Sequence, residues 1–351
     1  MNNISRRPKL NLTQARLKQQ QSFDKPPDNG AGSSGSLSPN LQPPTPLNFP
    51  DSKEPFTPRT IGKYLLLEQQ TGSTLYRCMN IRNQEEHVCK IVKNKQNQEA
   101  LFGHFRLDGH PLINPVEEVL VGETHTYIFF PKSYGDLHSY VRQKRRLREH
   151  EALHLFQQVA SAVAACHEAG IVLRDLKLRK FVFKNAERSQ LKLETLDDAV
   201  IIEDDDWLND RHGCPAYVSP EILITSGFYS GRAADCWSLG IMLYAMLVGR
   251  YPFHDSDPGA VLLKVRRGSF TIPETLSSHA RCLIRSLLRM DPSERLTAEE
   301  VLDHPWFKLG LRRLGGHSDA MHGGAYGDDA KVPDQTVPDL VVQEEGSSFF
   351  T

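Results

Sequence analysis

Apolar and polar positions change their period once along this chain. Tyr64-Leu65-Leu66-Leu67-Glu68, Val88-Cys89-Lys90-Ile91 and Tyr127-Ile128-Phe129-Phe130-Pro131 are short runs rich in aromatic and branched residues, the pattern of strands. The stretch from Asn97 to Arg106 predicts a short helix, weakened at Gly103. Beyond Pro131 the spacing turns helical. Leu153, Phe156, Ala160 and Val163 step by three and four, so they share one buried face of a helix that ends near Gly170. A later run opens at Asp235-Cys236-Trp237-Ser238-Leu239-Gly240 and continues to about Val248, apolar enough all round to lie at the centre of a lobe. Strands first and helices afterwards predict an α+β fold with a small β-rich part and a larger helical part, spanning residues 60–308. Residues 1–59 are rich in Gln, Ser, Gly and Pro, and residues 309–351 turn to Gly, Asp and His, compositions that bury too little apolar surface to offset ordering. Both are expected to be flexible tails.

Composition narrows the class. At 351 residues and 39% hydrophobic, the chain can bury a sizeable core. A net charge of −1 implies no whole-chain attraction to nucleic acid or to an anionic membrane surface. The six cysteines (78, 89, 166, 214, 236, 282) are scattered without a C-x-x-C pair, which disfavours zinc and disulfides and predicts a reducing compartment. No apolar run reaches membrane-spanning length, and the polar start is unlike a secretory signal, so nucleus and cytoplasm are expected. Lys144-Arg145-Arg146-Leu147-Arg148 reads either as an import or acidic-partner patch or as the solvated start of a helix. Ser38-Pro39 and Thr45-Pro46 read as proline-directed phosphorylation sites or as ordinary linker prolines.

The candidate chemistry centres on Leu173-Arg174-Asp175-Leu176-Lys177-Leu178-Arg179-Lys180. It follows the protein-kinase catalytic loop H-R-D-L-x-x-x-N, whose Asp takes the substrate proton and whose Asn holds magnesium. Asp175 and Lys177 are in place, but Leu173 replaces the His and Lys180 replaces the Asn. Downstream, the alternating strand Leu191-Lys192-Leu193-Glu194 leads into Thr195-Leu196-Asp197, which fills the D-F-G place. Thr195 is a poor magnesium ligand, and Lys180 opposes a metal that neighbouring acids might otherwise hold. These residues predict a lost metal site.

Upstream, Gln69-Gln70-Thr71-Gly72-Ser73-Thr74 keeps one glycine where a phosphate-binding loop uses three, which predicts poor cover over a nucleotide. Lys90 matches the V-A-I-K lysine that touches nucleotide phosphates, a vestigial contact here. Its usual helix partner is in doubt, because Glu99 is the only acid in that segment. Ser219-Pro220-Glu221 is the A-P-E equivalent, and Glu221 is expected to pair with Arg295; with Asp235, these two are architectural residues. The acidic run Glu203-Asp204-Asp205-Asp206 reads as a solvated loop, with recognition of a basic partner as the alternative. His304-Pro305-Trp306-Phe307 closes the domain, with Trp306 in packing.

The tail carries one island, Asp334-Gln335-Thr336-Val337-Pro338-Asp339, an acidic, proline-bearing, short apolar stretch of the form used for peptide docking. Taken together, the catalytic-loop changes, Thr195-Leu196-Asp197 and this island resemble the Tribbles pseudokinases over residues 60–308 plus the tail motif. The resemblance implies a bilobal protein-kinase-like fold without conventional activity. It implies an adaptor whose domain holds a degron peptide of a transcription factor such as a CCAAT/enhancer-binding protein. The tail motif (Asp334, Gln335, Val337, Pro338, Asp339) would engage the β-propeller of an E3 ubiquitin ligase. MAP kinase kinases are further implied partners, and Thr195, Leu196 and Asp197 a switch between tail and domain. Family members commonly read Ser-Leu-Glu at that switch; Thr-Leu-Asp keeps the hydroxyl and the acid with one methylene less reach. No cofactor is implied beyond weak, metal-independent ATP binding. The competing reading is a weak kinase that uses Asp175 and Lys90 without metal, with Lys180 neutralising phosphate.

Overall fold

The computed structural model describes residues 59–308 apart from 71–73, 204, 225 and 226. The tail motif at 334–339 and the Ser-Pro and Thr-Pro pairs therefore lie outside the described residues, as does Gly72 of the expected phosphate-loop segment.

Six strands form one antiparallel sheet: β1 (Arg59–Ile61), β2 (Tyr64–Gln69), β3 (Leu75–Asn80), β4 (Glu86–Lys93), β5 (Glu118–Val121) and β6 (His125–Pro131). Their spatial order is β1-β2-β3-β4-β6-β5. Lys90 sits on β4, between β3 and β6, opposite Leu75 on one side and Ile128 on the other. That register points a buried lysine off the sheet's inner face. One helix, α1 (Asn97–Arg106), crosses behind the sheet. Its Gly103 is buried against Leu196: a Cβ there would lie 3.0 Å from the Leu196 Cδ1. The glycine read as a weak point in the helix is thus the place where the helix rests on the switch segment.

The helical lobe is built from α2 (Leu137–Lys144), α3 (Glu149–Glu168), α4 (Pro220–Ile224), α5 (Gly231–Val248), α6 (Pro258–Arg267), α7 (Ser278–Leu287) and α8 (Ala298–Asp303). Short strand pairs join its loops: β7 (Ile171–Val172) with β10 (Val200–Ile201), β8 (Phe181–Phe183) with β9 (Leu191–Leu193), and β11 (Trp207–Leu208) with β12 (Tyr229–Ser230). Helix α5 is the axis. Trp237, Leu239, Ile241, Met242, Leu243, Ala245 and Met246 are fully buried within it, as an all-apolar helix requires. Ser230 caps its start by accepting from the Ala233 N–H, and Gly249, in the left-handed region at φ +81°, ends it. The helix begins four residues before Asp235, because this cap lies upstream of the apolar run.

Asp206 departs from the solvated-loop expectation. Its carboxylate accepts from the Ser230 hydroxyl and the Arg232 N–H, and its carbonyl accepts from the Gly231 N–H. An acid that satisfies the free N–H groups of a helix start is held there by both hydrogen bonding and the helix dipole. Trp306 and Phe307 are buried against Phe156 of α3, so His304–Phe307 closes the lobe by packing.

Candidate functional site

The cleft floor is the loop between β7 and β8, fixed from below by Asp235. This carboxylate is 1% exposed and accepts from the Leu173 N–H (2.8 Å), the Arg174 N–H (3.0 Å) and His167 Nε2 (2.9 Å). Two backbone donors on one buried acid set the loop's conformation, including Arg174 at φ +60°. His167 was not singled out from the sequence; it lies on α3, and only the fold brings it to Asp235. Leu173 is buried in the same apolar cluster as Leu196, so losing the histidine leaves a packed side chain in its place.

The charged residues of the cleft are paired with one another. Lys177 Nζ donates to Asp175 Oδ2 at 2.5 Å. Lys180 Nζ donates to Asp198 Oδ2 at 2.6 Å. Lys90 is paired with Asp197, the last residue of the switch, while Glu99, the only sequence candidate for its partner, is exposed. Asp197 lies 107 residues along the chain from Lys90, and no motif spacing links them. Asp198, the next residue along the chain, was not singled out from the sequence. It also meets His212 at 3.4 Å, and its carbonyl accepts from Arg174 Nε at 2.6 Å. Arg174 is further paired with Asp210, so the catalytic loop, the switch and the segment beyond it share one network.

Electrostatics follows from this packing. Burial, with Lys180 close by, brings Lys90 down to about 8 despite its acidic neighbours. Burial would raise Asp198, yet His212 and Lys180 hold its carboxyl well below the usual range. Lys177 is raised, since Asp175 outweighs the burial that opposes its charge. Glu194 is pushed up to about 7 by burial and by Asp136, against the pull of Lys180, Lys192 and Lys90. Its folded-state value exceeds its ordinary value of 4.5, so the folded protein binds the extra proton between those limits. Stability from this group is present at acid pH and lost as pH rises through about 7. Glu194→Gln is therefore expected to gain on the parent by about 1–3 kcal/mol between about pH 5 and about pH 8. Chemical denaturation at the two pH values checks this; an equal difference at both would remove the assignment.

The donor set does not fit magnesium. The position that should offer a neutral oxygen presents the Lys180 ammonium, Thr195 is buried with a hydroxyl in place of a carboxylate, and Asp198 is occupied by Lys180. Among the described residues, no three His, Cys, Asp or Glu side chains converge on a point that could hold a metal ion. Asp175, Lys180, Thr195, Leu196 and Asp198 line one small cleft.

Away from the cleft, Arg295 and Glu221 meet as a bidentate pair at 2.8 and 3.1 Å, with the arginine side chain fully enclosed. Arg295 also donates to the carbonyls of Ala233 (2.5 Å) and Arg289 (2.9 Å) and lies over the Trp237 ring.

Residues 69–307 match the family model of the protein kinase domain. The chain is 54% identical over 318 residues to Tribbles homolog 2 of Canis lupus familiaris, covering 90% of each chain. It is 53% identical to Tribbles homolog 1 of Homo sapiens over 84% of this chain and 76% of that one. To Tribbles homolog 3 of Mus musculus it is 48% identical over 88% and 86%. A kinase fold whose catalytic lysines and acids neutralise one another, joined to these likenesses, places the chain in the Tribbles family of pseudokinases.

Proposed function

We propose that this pseudokinase is an adaptor that holds a transcription-factor degron peptide on its kinase-like domain and recruits an E3 ubiquitin ligase through Asp334, Gln335, Val337, Pro338 and Asp339, so that the bound factor is ubiquitinated and degraded. The observation that carries the non-catalytic half is the self-pairing of Lys90, Lys177 and Lys180 with Asp197, Asp175 and Asp198. Phosphoryl transfer runs on positioning and metal-borne charge. A cleft that spends its lysines and acids on one another offers neither.

In this reading Thr195, Leu196 and Asp197 are the switch. Client binding shifts them, α1 follows through the Gly103–Leu196 contact, and the tail is released. Phe102 and Phe105, about half exposed on α1, supply an apolar face for the tail to leave. MAP kinase kinases are proposed as further partners, and nucleus and cytoplasm as the working compartments. Neither a nucleic acid nor a membrane surface is proposed as a partner.

The competing reading, a weak kinase, rests on Asp175 and Lys90 being retained. Thermal shift separates the two, since a ligand that binds only the folded state raises its melting temperature. ATP with magnesium is expected to shift the full chain no further than ATP with EDTA, whether ATP binds weakly or not at all. A clearly larger shift with magnesium would restore the kinase reading.

A further inference from the structure

Four Arg-Arg pairs occur in the chain, at 6–7, 145–146, 266–267 and 312–313, and only one is followed two residues on by a hydroxyl. That sequence is Arg266-Arg267-Gly268-Ser269-Phe270. Arginines three and two residues before a serine, with an apolar residue after it, are what a basic-directed protein kinase binds. The acidic side chains of such an enzyme take the two guanidinium groups as charge-assisted pairs.

The fold presents this serine outward. Arg266 and Arg267 end α6, and Gly268, at φ +60°, turns the chain away from the helix. A Cβ at Gly268 would lie 2.7 Å from the Met290 sulfur, so the turn needs glycine for space as well as conformation. Ser269 and Arg267 are exposed, while Val265 and half-buried Phe270 anchor the segment on either side. A kinase cleft takes an extended peptide, so the last turn of α6 must open. Beyond the helix's own ladder, the Gly268 N–H reaches Lys264 O and Val265 O (the latter at 3.0 Å), the Ser269 N–H donates to Lys264 O at 3.2 Å, and Arg266 donates to Leu223 O at 2.9 Å. Opening at a helix end costs little compared with opening in the core.

We propose that Ser269 is a phosphoacceptor for a basic-directed serine/threonine kinase. The Ser269 Oγ attacks the γ-phosphorus of that kinase's ATP, the bond to ADP breaks, and the hydroxyl proton passes to the kinase's own base. The product has counter-charges at hand, because Arg266 and Arg267 flank the new phosphate, while Lys264 stays engaged with Asp255 at 2.9 Å. The site is independent of the cleft and of the tail motif.

The full chain, incubated with ATP and the catalytic subunit of the cyclic-AMP-dependent kinase as a basic-directed probe, is expected to acquire phosphate at Ser269, mapped by mass spectrometry. Ser269→Ala should remove that modified peptide. Arg267→Gln, at an exposed position, should slow modification of Ser269 by at least about tenfold with the melting temperature unchanged. A peptide spanning residues 263–274 serves as the unfolded reference. Ready modification of that peptide while Ser269 of the folded chain stays bare would overturn the proposal, as would an unchanged rate in Arg267→Gln.

Discussion

Replacing Arg295 by alanine is expected to lower the stability of the kinase-like domain by about 3–5 kcal/mol, the cost of leaving a buried carboxylate without its partner. Glu221 is shielded on α4, and the guanidinium also serves the Ala233 and Arg289 carbonyls and covers the Trp237 ring. One substitution thus strands an acid and two acceptors and opens a gap against the largest side chain of α5. A domain holds only about 5–15 kcal/mol in all, so the loss is a large fraction of its stability. Arg295→Lys keeps the charge but not the fork, and should fall between the two. Urea denaturation of the full chain checks this. A loss below about 1 kcal/mol would mean that the pair is screened or dispensable.

The parts of this molecule that local chemistry fixes were legible in its sequence. The catalytic loop, the Thr195-Leu196-Asp197 segment and the A-P-E equivalent are contiguous, and each departure from the kinase pattern could be named from residue type alone. Glu221 and Arg295 lie 74 residues apart, yet each sits in a recognisable segment, so their meeting could be anticipated. What stayed hidden depends on tertiary placement. Asp197 and Asp198 are adjacent acids, and nothing local says that one serves Lys90 and the other Lys180. His167 looks like any helix histidine until the fold brings it to Asp235. Asp206 was read as one of four solvated acids because a cap is recognised from the helix it caps, and that helix was placed too late by four residues. Gly103 was judged by helix propensity, a per-residue preference that tertiary contact with Leu196 overrides.

This pairing also explains why losing catalysis need not have cost stability. Lys180 in a position built for a metal ligand would be an uncompensated charge beside Lys90, and Asp198 supplies the compensation. Substituting Asp198 alone would leave both ammonium groups close together. The cleft's lysines are compensated by acids of the same chain, the arrangement on which the proposed adaptor rests.

The second large effect is expected in the tail. In the proposed adaptor, Val337 would give the docking island its apolar contact, and Pro338 would fix φ so that less entropy is lost when the peptide orders on a ligase. Asp334 and Asp339 would offer charge to a basic rim. Val337→Ala combined with Pro338→Ala should abolish ligase capture and client degradation while leaving the domain's melting temperature unchanged, because both positions lie outside residues 69–307, which match the protein kinase domain. The direct measurement is affinity capture of the full chain from cells, wild type beside the double variant, with and without added client peptide, read by mass spectrometry. The account predicts that the wild type recovers the ligase, more of it when client peptide is present, and that the variant recovers none. A double variant that co-purifies with the ligase at the wild-type yield would contradict it.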